Sequence, residues 1–218
     1  MKIKQLDTPT PAISIDNFIP SEALVRAAAA SFETFDSDQW VKYAKGSGQV
    51  QYCSRGRSQT TPAALAVMDY IAANFDPNIA FKDIGVKAFP DMSYYGGGMM
   101  LTPNSNDEGG FLGMHMDAEV HAINTNWKRE YSAVLCISEE YDSSFDMRLH
   151  DGETHARVPY KFNTLNVFKC TENSWHGFPE IARGYDRKTL GVMYWSIMPP
   201  SEAKLARKKA KFNFDLVF

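Results

Sequence analysis

The chain contains five histidines, and one of them has a carboxylate at a spacing suited to metal binding. Only His115 is followed two residues later by an acid, Asp117. Residues i and i+2 of a β-strand point to the same face, so a strand here would place the imidazole and the carboxylate side by side. Because a short motif of this kind also arises by chance, a metal site needs a third ligand.

His176, in the segment NSWHGFPE, is the candidate third ligand because it follows the apolar strand candidate LNVFK. Two histidines and one carboxylate on one side of an ion form the facial triad of non-haem Fe(II) oxygenases, which leaves the other positions open. Arg187 then opens a second apolar strand candidate, which would direct its guanidinium inward, where a carboxylate is its best partner. Thr189, on the same face, could add a hydroxyl to that carboxylate.

The order of these five residues along the chain resembles that of the 2-oxoglutarate/Fe(II)-dependent dioxygenase superfamily, and specifically of its prolyl-4-hydroxylase-like branch. The matching motifs are H-M-D at 115–117, H-G-F-P-E from His176 and R-K-T-L at 187–190. The segment ISIDNFIPSEALVRA is similar to the opening strand and helix of that branch, and FNTLNVFKCTENSWHG is similar to its strand before the distal histidine. The resemblance touches most of residues 12–198.

The resemblance implies a hydroxylase that uses Fe(II), 2-oxoglutarate and O2 and releases succinate and CO2. Its target would be a C–H bond of a protein side chain or a small molecule. The implied site residues, by position, are His115, Asp117 and His176 for the iron, with Arg187 and Thr189 for the distal carboxylate of 2-oxoglutarate. Members of the branch often place a tyrosine on the oxoglutarate, and the choice between Tyr94, Tyr95 and neither stays open.

Two other functions remain as alternatives. Oxidative demethylation of nucleic acid would need a basic, aromatic-lined groove, and the net charge of −3 disfavours it. A non-catalytic cupin-like binding module is the third hypothesis.

The other histidines are interpreted as lying outside the metal site. His121 would lie on the surface or on the substrate side, since the strand should have ended before it. His150 and His155 flank an acidic turn and are expected to be exposed. Arg183 precedes a turn, so Arg187 is preferred to it as the carboxylate ligand.

The first part of the chain predicts a strand and two helices. AISIDNFI favours a short strand, and Ser21 can cap a helix through SEALVRAAAASF. A second helix would begin with Thr61 as its cap and Pro62 in its first position, and would end at Asp76-Pro77. Its apolar stripe indicates a face packed on the core.

From about residue 80, short β-rich pieces alternate with turn signals. They are FKDIGVKAFP, SYYGGGMML, GFLGMHMDA, YSAVLCIS, FDMRLHD, LNVFK and TLGVMYWSIM. This pattern predicts a mainly β fold with flanking helices, built on a double-stranded β-helix core, also called a jelly roll and cupin-like. We expect a single domain over 1–218, with a helical front at about 20–76, the jelly-roll core at about 80–198 and a basic C-terminal extension at 201–218.

The extension holds five basic residues on an expected helix, followed by an edge strand, FNFDLVF. A solvated helix is favoured over a nucleic-acid patch at 204–211, although the latter stays open.

The composition is that of a globular protein, with 44% hydrophobic and 22% charged residues. Three widely spaced cysteines predict buried thiols. Without a membrane span or secretory signal, a cytoplasmic protein is expected.

Overall fold

The computed structural model describes most of the chain between Lys2 and Glu202. The described residues are 2–33, 38, 40–43, 51–54, 56–83, 85–103, 111–117, 119–139, 146–151, 155–178, 185–199 and 201–202. Apart from Ser201 and Glu202, the expected C-terminal helix and strand lie outside these residues, as does Arg183. The one-domain organisation and the cytoplasmic location stay predictions.

Among the described residues, three α-helices and a short 3₁₀ helix (Arg57–Gln59) form the front of the molecule, and the two long α-helices begin where the sequence predicts. Helix α1 (Glu22–Ala30) is capped by Ser21, whose hydroxyl accepts a backbone N–H of the first turn. Helix α2 (Pro62–Asn74) is capped by Thr61, and its proline lies where no intrahelical donor is needed. A short helix, α3 (Pro77–Ala80), follows at once. Within the described residues, no helix has the length and hydropathy needed to cross a membrane.

Thirteen strands lie within the described residues. They are β1 (Ile3–Gln5), β2 (Ala12–Ile15), β3 (Trp40–Tyr43), β4 (Gln51–Ser54), β5 (Phe89–Pro90), β6 (Gly98–Thr102), β7 (Leu112–His115), β8 (Trp127–Cys136), β9 (Met147–His150), β10 (His155–Val158), β11 (Thr164–Lys169), β12 (Trp175–Phe178) and β13 (Arg187–Ile197). All their pairings are antiparallel.

The strands form a large and a small sheet. The large sheet has the order β1-β2-β11-β8-β13-β6-β4-β3, with β5 paired to β13, and the small sheet has the order β10-β9-β12-β7. One face of the large sheet packs against the helices around Val25, Met68 and Ile71. A second cluster, which includes Leu149 of the small sheet and Val134 of the large one, lies between the sheets. The prediction of a mainly β fold with a double-stranded β-helix core is confirmed.

Local differences from the sequence expectations are also clear. The β-rich piece at 81–90 contributes only the two residues of β5, because Phe81 instead caps helix α3 and a turn follows it. Strands β3 and β4 fall in a segment that gave no strand signal. Strand β7 ends at His115, two residues before Asp117.

Candidate metal centre and co-substrate pocket

Three side chains from two distant parts of the chain meet at one point between the sheets. One potential ligand atom from each of His115, Asp117 and His176 lies within 4.8 Å of those of the other two. Asp117 Oδ1 is 4.0 Å from Nε2 of His115 and 3.7 Å from Nε2 of His176. The two histidines are register partners on the neighbouring strands β7 and β12. Sheet pairing therefore brings the imidazoles together, and their ring centroids are 4.4 Å apart.

The tautomers of the two histidines suit metal binding. Nδ1 of His115 lies 2.9 Å from the carbonyl oxygen of Gly113, and Nδ1 of His176 lies 3.0 Å from that of Ser174. A carbonyl oxygen only accepts hydrogen bonds, so each Nδ1 carries the proton and donates it. The lone pair is then on each Nε2, on the side of Asp117. A ligating histidine is usually oriented through its second nitrogen in this way.

Asp117 reaches the site by a different route from the one the sequence predicts. Because β7 ends at His115, Asp117 follows the strand and does not share its i, i+2 face. Its carboxylate is held from strand β8: Oδ2 lies 2.6 Å from Nη1 of Arg129 and accepts a hydrogen bond from Ser132 Oγ at 2.7 Å. Burial is the largest single effect and raises the pKa of the Asp117 carboxyl, but the charge of Arg129 and the interactions with His176 and Ser132 together outweigh it and hold the pKa well below the usual range.

Arg187 lies buried at the start of β13, and its side chain is 3% exposed. Its guanidinium carbon is 4.0 Å from the ring centroids of both Tyr160 and Phe178. Burial lowers the pKa of Arg187, whereas the interaction with Tyr160 acts in the opposite direction. The cationic form is thus less favourable here than in water, and an anionic carboxylate in this pocket would stabilise it.

Thr189 is completely buried, and its hydroxyl has no hydrogen-bond partner among the described residues. An unpaired buried hydroxyl costs free energy unless something else supplies the missing bond. Thr189, Arg187 and the three metal-site residues all line one cavity of about 360 Å³. The structure thus brings all five predicted site residues together, and the unpaired hydroxyl beside a buried cation fits a carboxylate ligand.

Three polar cavity residues in contact with the predicted site residues were not predicted from the sequence. Arg129 and Ser132 contact Asp117, and Tyr160 packs on Arg187. Tyr160 falls in a connection after β10, where no pattern marks it. Only its apolar neighbours, which predict burial, could have drawn attention to it.

The two tyrosines that the resemblance left open have different positions. Tyr94 is buried but does not line the cavity, and its hydroxyl donates to Asp69 on helix α2. Tyr95 lines the cavity, although 38% of its surface is exposed. Since Tyr160 is the tyrosine in contact with Arg187, it becomes the candidate for the co-substrate.

The remaining histidines do not join the metal site. His121 is 1% exposed, so its surface alternative is wrong, but it lines the cavity, as the substrate-side alternative expects. Its Nδ1 accepts two backbone N–H groups and its Nε2 lies 3.1 Å from Asp91, which leaves no nitrogen for an ion. His155 is exposed as expected, whereas its cross-strand partner His150 is half-buried.

Comparison with solved structures supports a fold assignment. A prolyl-4-hydroxylase from Pseudomonas putida matches with a TM-score of 0.55 at 19% identity, covering 88% of this chain and 94% of its own. A prolyl hydroxylase from Trichoplax adhaerens, in complex with a peptide fragment of hypoxia inducible factor, has a TM-score of 0.58 at 12% identity, covering 85% and 83%. The chain has the fold of the 2-oxoglutarate/Fe(II)-dependent oxygenases.

This oxygenase fold also occurs in HygX from Streptomyces hygroscopicus, solved with nickel and 2-oxoglutarate bound. HygX matches with a TM-score of 0.54 at 11% identity, covering 86% of this chain and 83% of its own. No protein-family model matches the sequence, and no curated protein is significantly similar to it. The resemblance seen in the sequence is thus confirmed at the level of the oxygenase fold.

Proposed function

We propose that the protein is an Fe(II)- and 2-oxoglutarate-dependent dioxygenase that hydroxylates a C–H bond of a protein side chain or a small molecule. The observation that carries the proposal is the convergence of three ligand atoms, from His115, Asp117 and His176, in a cavity that also holds a buried arginine. Bound Fe(II) would supply the oxidising chemistry with O2 and 2-oxoglutarate as co-substrates, giving succinate and CO2.

Each of the five predicted site residues has a defined role in this proposal. Nε2 of His115, Nε2 of His176 and Oδ1 of Asp117 would hold the metal. The guanidinium of Arg187 and the hydroxyl of Thr189 would bind the distal carboxylate of 2-oxoglutarate, with Tyr160 packed against them. Phe168 and Phe178 line the same cavity with apolar rings, which would reduce hydration around a reactive oxidant.

The size of the cavity limits the second substrate. A volume of about 360 Å³ must hold both 2-oxoglutarate and the group to be oxidised, and it lies at the lower end of the range for ligand sites. This size favours a side chain or a small molecule. Nucleic-acid demethylation stays a weaker alternative because the net charge of −3 provides no general attraction to a polyanion.

Uncoupled turnover tests the proposal without knowledge of the substrate. Purified protein with Fe(II), ascorbate, 2-oxoglutarate and O2 should release succinate, and leaving out iron should stop it. The variant His176→Ala should lose the activity while keeping the fold, because it removes one of three metal ligands. His155→Ala is the matched control, since His155 is an exposed histidine of the same small sheet and should retain the activity.

The absence of metal binding and of succinate release would favour the alternative of a non-catalytic cupin-like binding module. If the parent protein binds neither Mn(II) nor 2-oxoglutarate and releases no succinate, the proposal is wrong. Succinate release that continues unchanged in His176→Ala would remove His176 from the metal site.

A further inference from the structure

We infer that Arg129 and Ser132 are positioning residues that keep Asp117 bound to the metal through one oxygen. This inference rests on the proposed function, and it concerns how strand β8 sets the coordination geometry of the site. In the described structure the two carboxylate oxygens of Asp117 face different partners. Oδ1 faces the two histidine Nε2 atoms, and Oδ2 faces Arg129 and Ser132.

Asp117 needs such support because it lies beyond the end of β7. His115 and His176 are fixed by the strand pairing of β7 with β12, but the ladder does not extend to Asp117. Its carboxylate is instead fixed by two contacts of 2.6 and 2.7 Å to a neighbouring sheet. A charge-assisted contact of this length is among the stronger hydrogen bonds in proteins.

A β-bulge explains why an arginine, and not the adjacent glutamate, contacts Asp117. In the pairing of β8 with β13, Tyr131 lies opposite Tyr194 and Arg129 lies opposite Trp195, so Glu130 is the extra residue. Regular alternation from Ser132 would direct Glu130 towards the metal site. The bulge moves Arg129 to that face, and bulges beside active sites commonly redirect a side chain in this way.

The surroundings of Arg129 support a dedicated role. Its side chain is 6% exposed, and its guanidinium carbon lies 4.9 Å from the ring centroid of Trp195. Glu130 accepts a hydrogen bond from Ser196 and does not line the cavity. Burial of a guanidinium is costly without a charged partner, so the pairing with Asp117 accounts for its position.

Ser132 has only one hydroxyl proton, and the contacts show where it goes. Its Oγ lies 2.7 Å from Asp117 Oδ2 and 3.4 Å from Sγ of Cys170. The ionised carboxylate can only accept, so the hydroxyl proton is donated to Asp117 and the Cys170 thiol is the donor in the other contact. The Cys170 thiol therefore orients the Ser132 hydroxyl, and the Ser132 hydroxyl in turn orients the Asp117 carboxylate.

The chemical consequence concerns the open coordination positions. Three ligands on one face of an octahedral ion leave three positions, which 2-oxoglutarate and O2 both require. If both oxygens of Asp117 bound the metal, one of these positions would be lost. The contacts to Arg129 and Ser132 use both lone pairs of Oδ2, so chelation through Oδ2 would break at least one of them, and these two residues therefore favour binding through Oδ1 alone.

Metal titration of Ser132 variants is the first test, because its readout does not depend on turnover. Partners of metal ligands typically contribute about 10- to 100-fold in metal affinity, so Ser132→Ala should weaken Mn(II) binding, followed by electron paramagnetic resonance, by about tenfold or more. Ser132→Thr keeps the hydroxyl and should restore the affinity to near that of the parent. Ser14→Ala truncates a buried serine elsewhere on the large sheet and should have no effect.

The second test addresses the coordination mode. Arg129→Met removes the charged donor, so Asp117 should become free to bind through both oxygens. Binding of 2-oxoglutarate to the Mn(II) protein should then weaken by about tenfold or more, and the visible spectrum of the Co(II) protein should change. Arg26→Met, which removes an exposed arginine of helix α1, should change neither. If Arg129→Met fails to fold, Arg129→Lys, which keeps the charge but offers one ammonium, should show a smaller shift of the same kind.

The two proposals can fail separately. If the parent protein does not bind Mn(II), the proposed function fails. If the parent binds Mn(II) and 2-oxoglutarate, but Ser132→Ala binds Mn(II) as tightly as the parent and the Arg129 variants leave the Co(II) spectrum unchanged, only the positioning role is overturned.

Discussion

The hydroxyl of Thr189 offers a test in which stability and co-substrate binding should change in opposite directions. Thr189→Val replaces the hydroxyl by a methyl group of similar shape. In the described structure this hydroxyl is fully buried and lacks a hydrogen-bond partner, so the free protein gains nothing from it. If it serves the carboxylate of 2-oxoglutarate, its value appears only when the co-substrate is bound.

Both magnitudes follow from the burial of this atom. A buried polar group without a partner costs about 1–3 kcal/mol, so the valine variant should be more stable than the parent by about 1 kcal/mol. A hydrogen bond to a charged group contributes about 1.5–3 kcal/mol, which corresponds to a loss of about 10- to 150-fold in affinity for 2-oxoglutarate.

Urea denaturation measures the stability, and calorimetric titration of the Mn(II) protein with 2-oxoglutarate measures the affinity. Thr10→Val is the matched control, because the Thr10 hydroxyl is also buried and without a partner among the described residues, but Thr10 does not line the cavity. The control should be stabilised without loss of affinity. If Thr189→Val were less stable than the parent and bound 2-oxoglutarate equally well, the hydroxyl would have a structural role and no part in binding.

Three further predictions concern the scaffold. A Cβ at Gly97 would overlap the backbone carbonyl oxygen of Gly191, so Gly97→Ala should lower the free energy of unfolding in urea by about 1–3 kcal/mol; an unchanged value would show that the two segments can separate. The hydrogen bonds from Arg57 are the main cause of the lowered pKa of the Asp69 carboxyl, and this stabilisation is present above the unfolded pKa of about 3.9 and lost as the pH falls through the folded value. Asp69→Asn should therefore be less stable than the parent at pH 7, and denaturation at pH 3 should show a smaller difference; a constant difference would rule out the ion pair as its cause. Burial raises the pKa of the Cys136 thiol to about 11, so this cysteine should resist alkylation at pH 8 until urea unfolds the protein, and rapid labelling of the native protein would contradict its burial.

Much of the fold follows from local rules that the sequence displays. Ser21 and Thr61 are helix caps, and each satisfies a backbone donor that would otherwise be unpaired. The long strands β8 and β13 are rich in apolar residues, so they could be located without knowledge of their partners. Strands β3 and β4 could not be located in this way. Strand β3 pairs with β4, and β4 pairs with β6, which is distant in the sequence, so no local pattern encodes these pairings.

The candidate site shows the same division. His115, His176 and Arg187 lie on strands, and their types and order were sufficient to predict that they share a cavity. The position of Asp117 was predicted from a strand geometry that the structure does not have. Asp117 is held by Arg129 and Ser132, and the bulge at Glu130 brings Arg129 to the face of β8 that contacts Asp117. A bulge is defined by the register of two strands, which the sequence of one strand does not specify.

The most direct test of the central claim is a crystal structure of the protein grown without oxygen in the presence of Mn(II) and 2-oxoglutarate. We expect one ion bound by Nε2 of His115, Nε2 of His176 and a single oxygen of Asp117. The distal carboxylate of 2-oxoglutarate should lie on Arg187 and Thr189. An ion bound elsewhere, or a co-substrate carboxylate that does not contact Arg187, would contradict the proposed function.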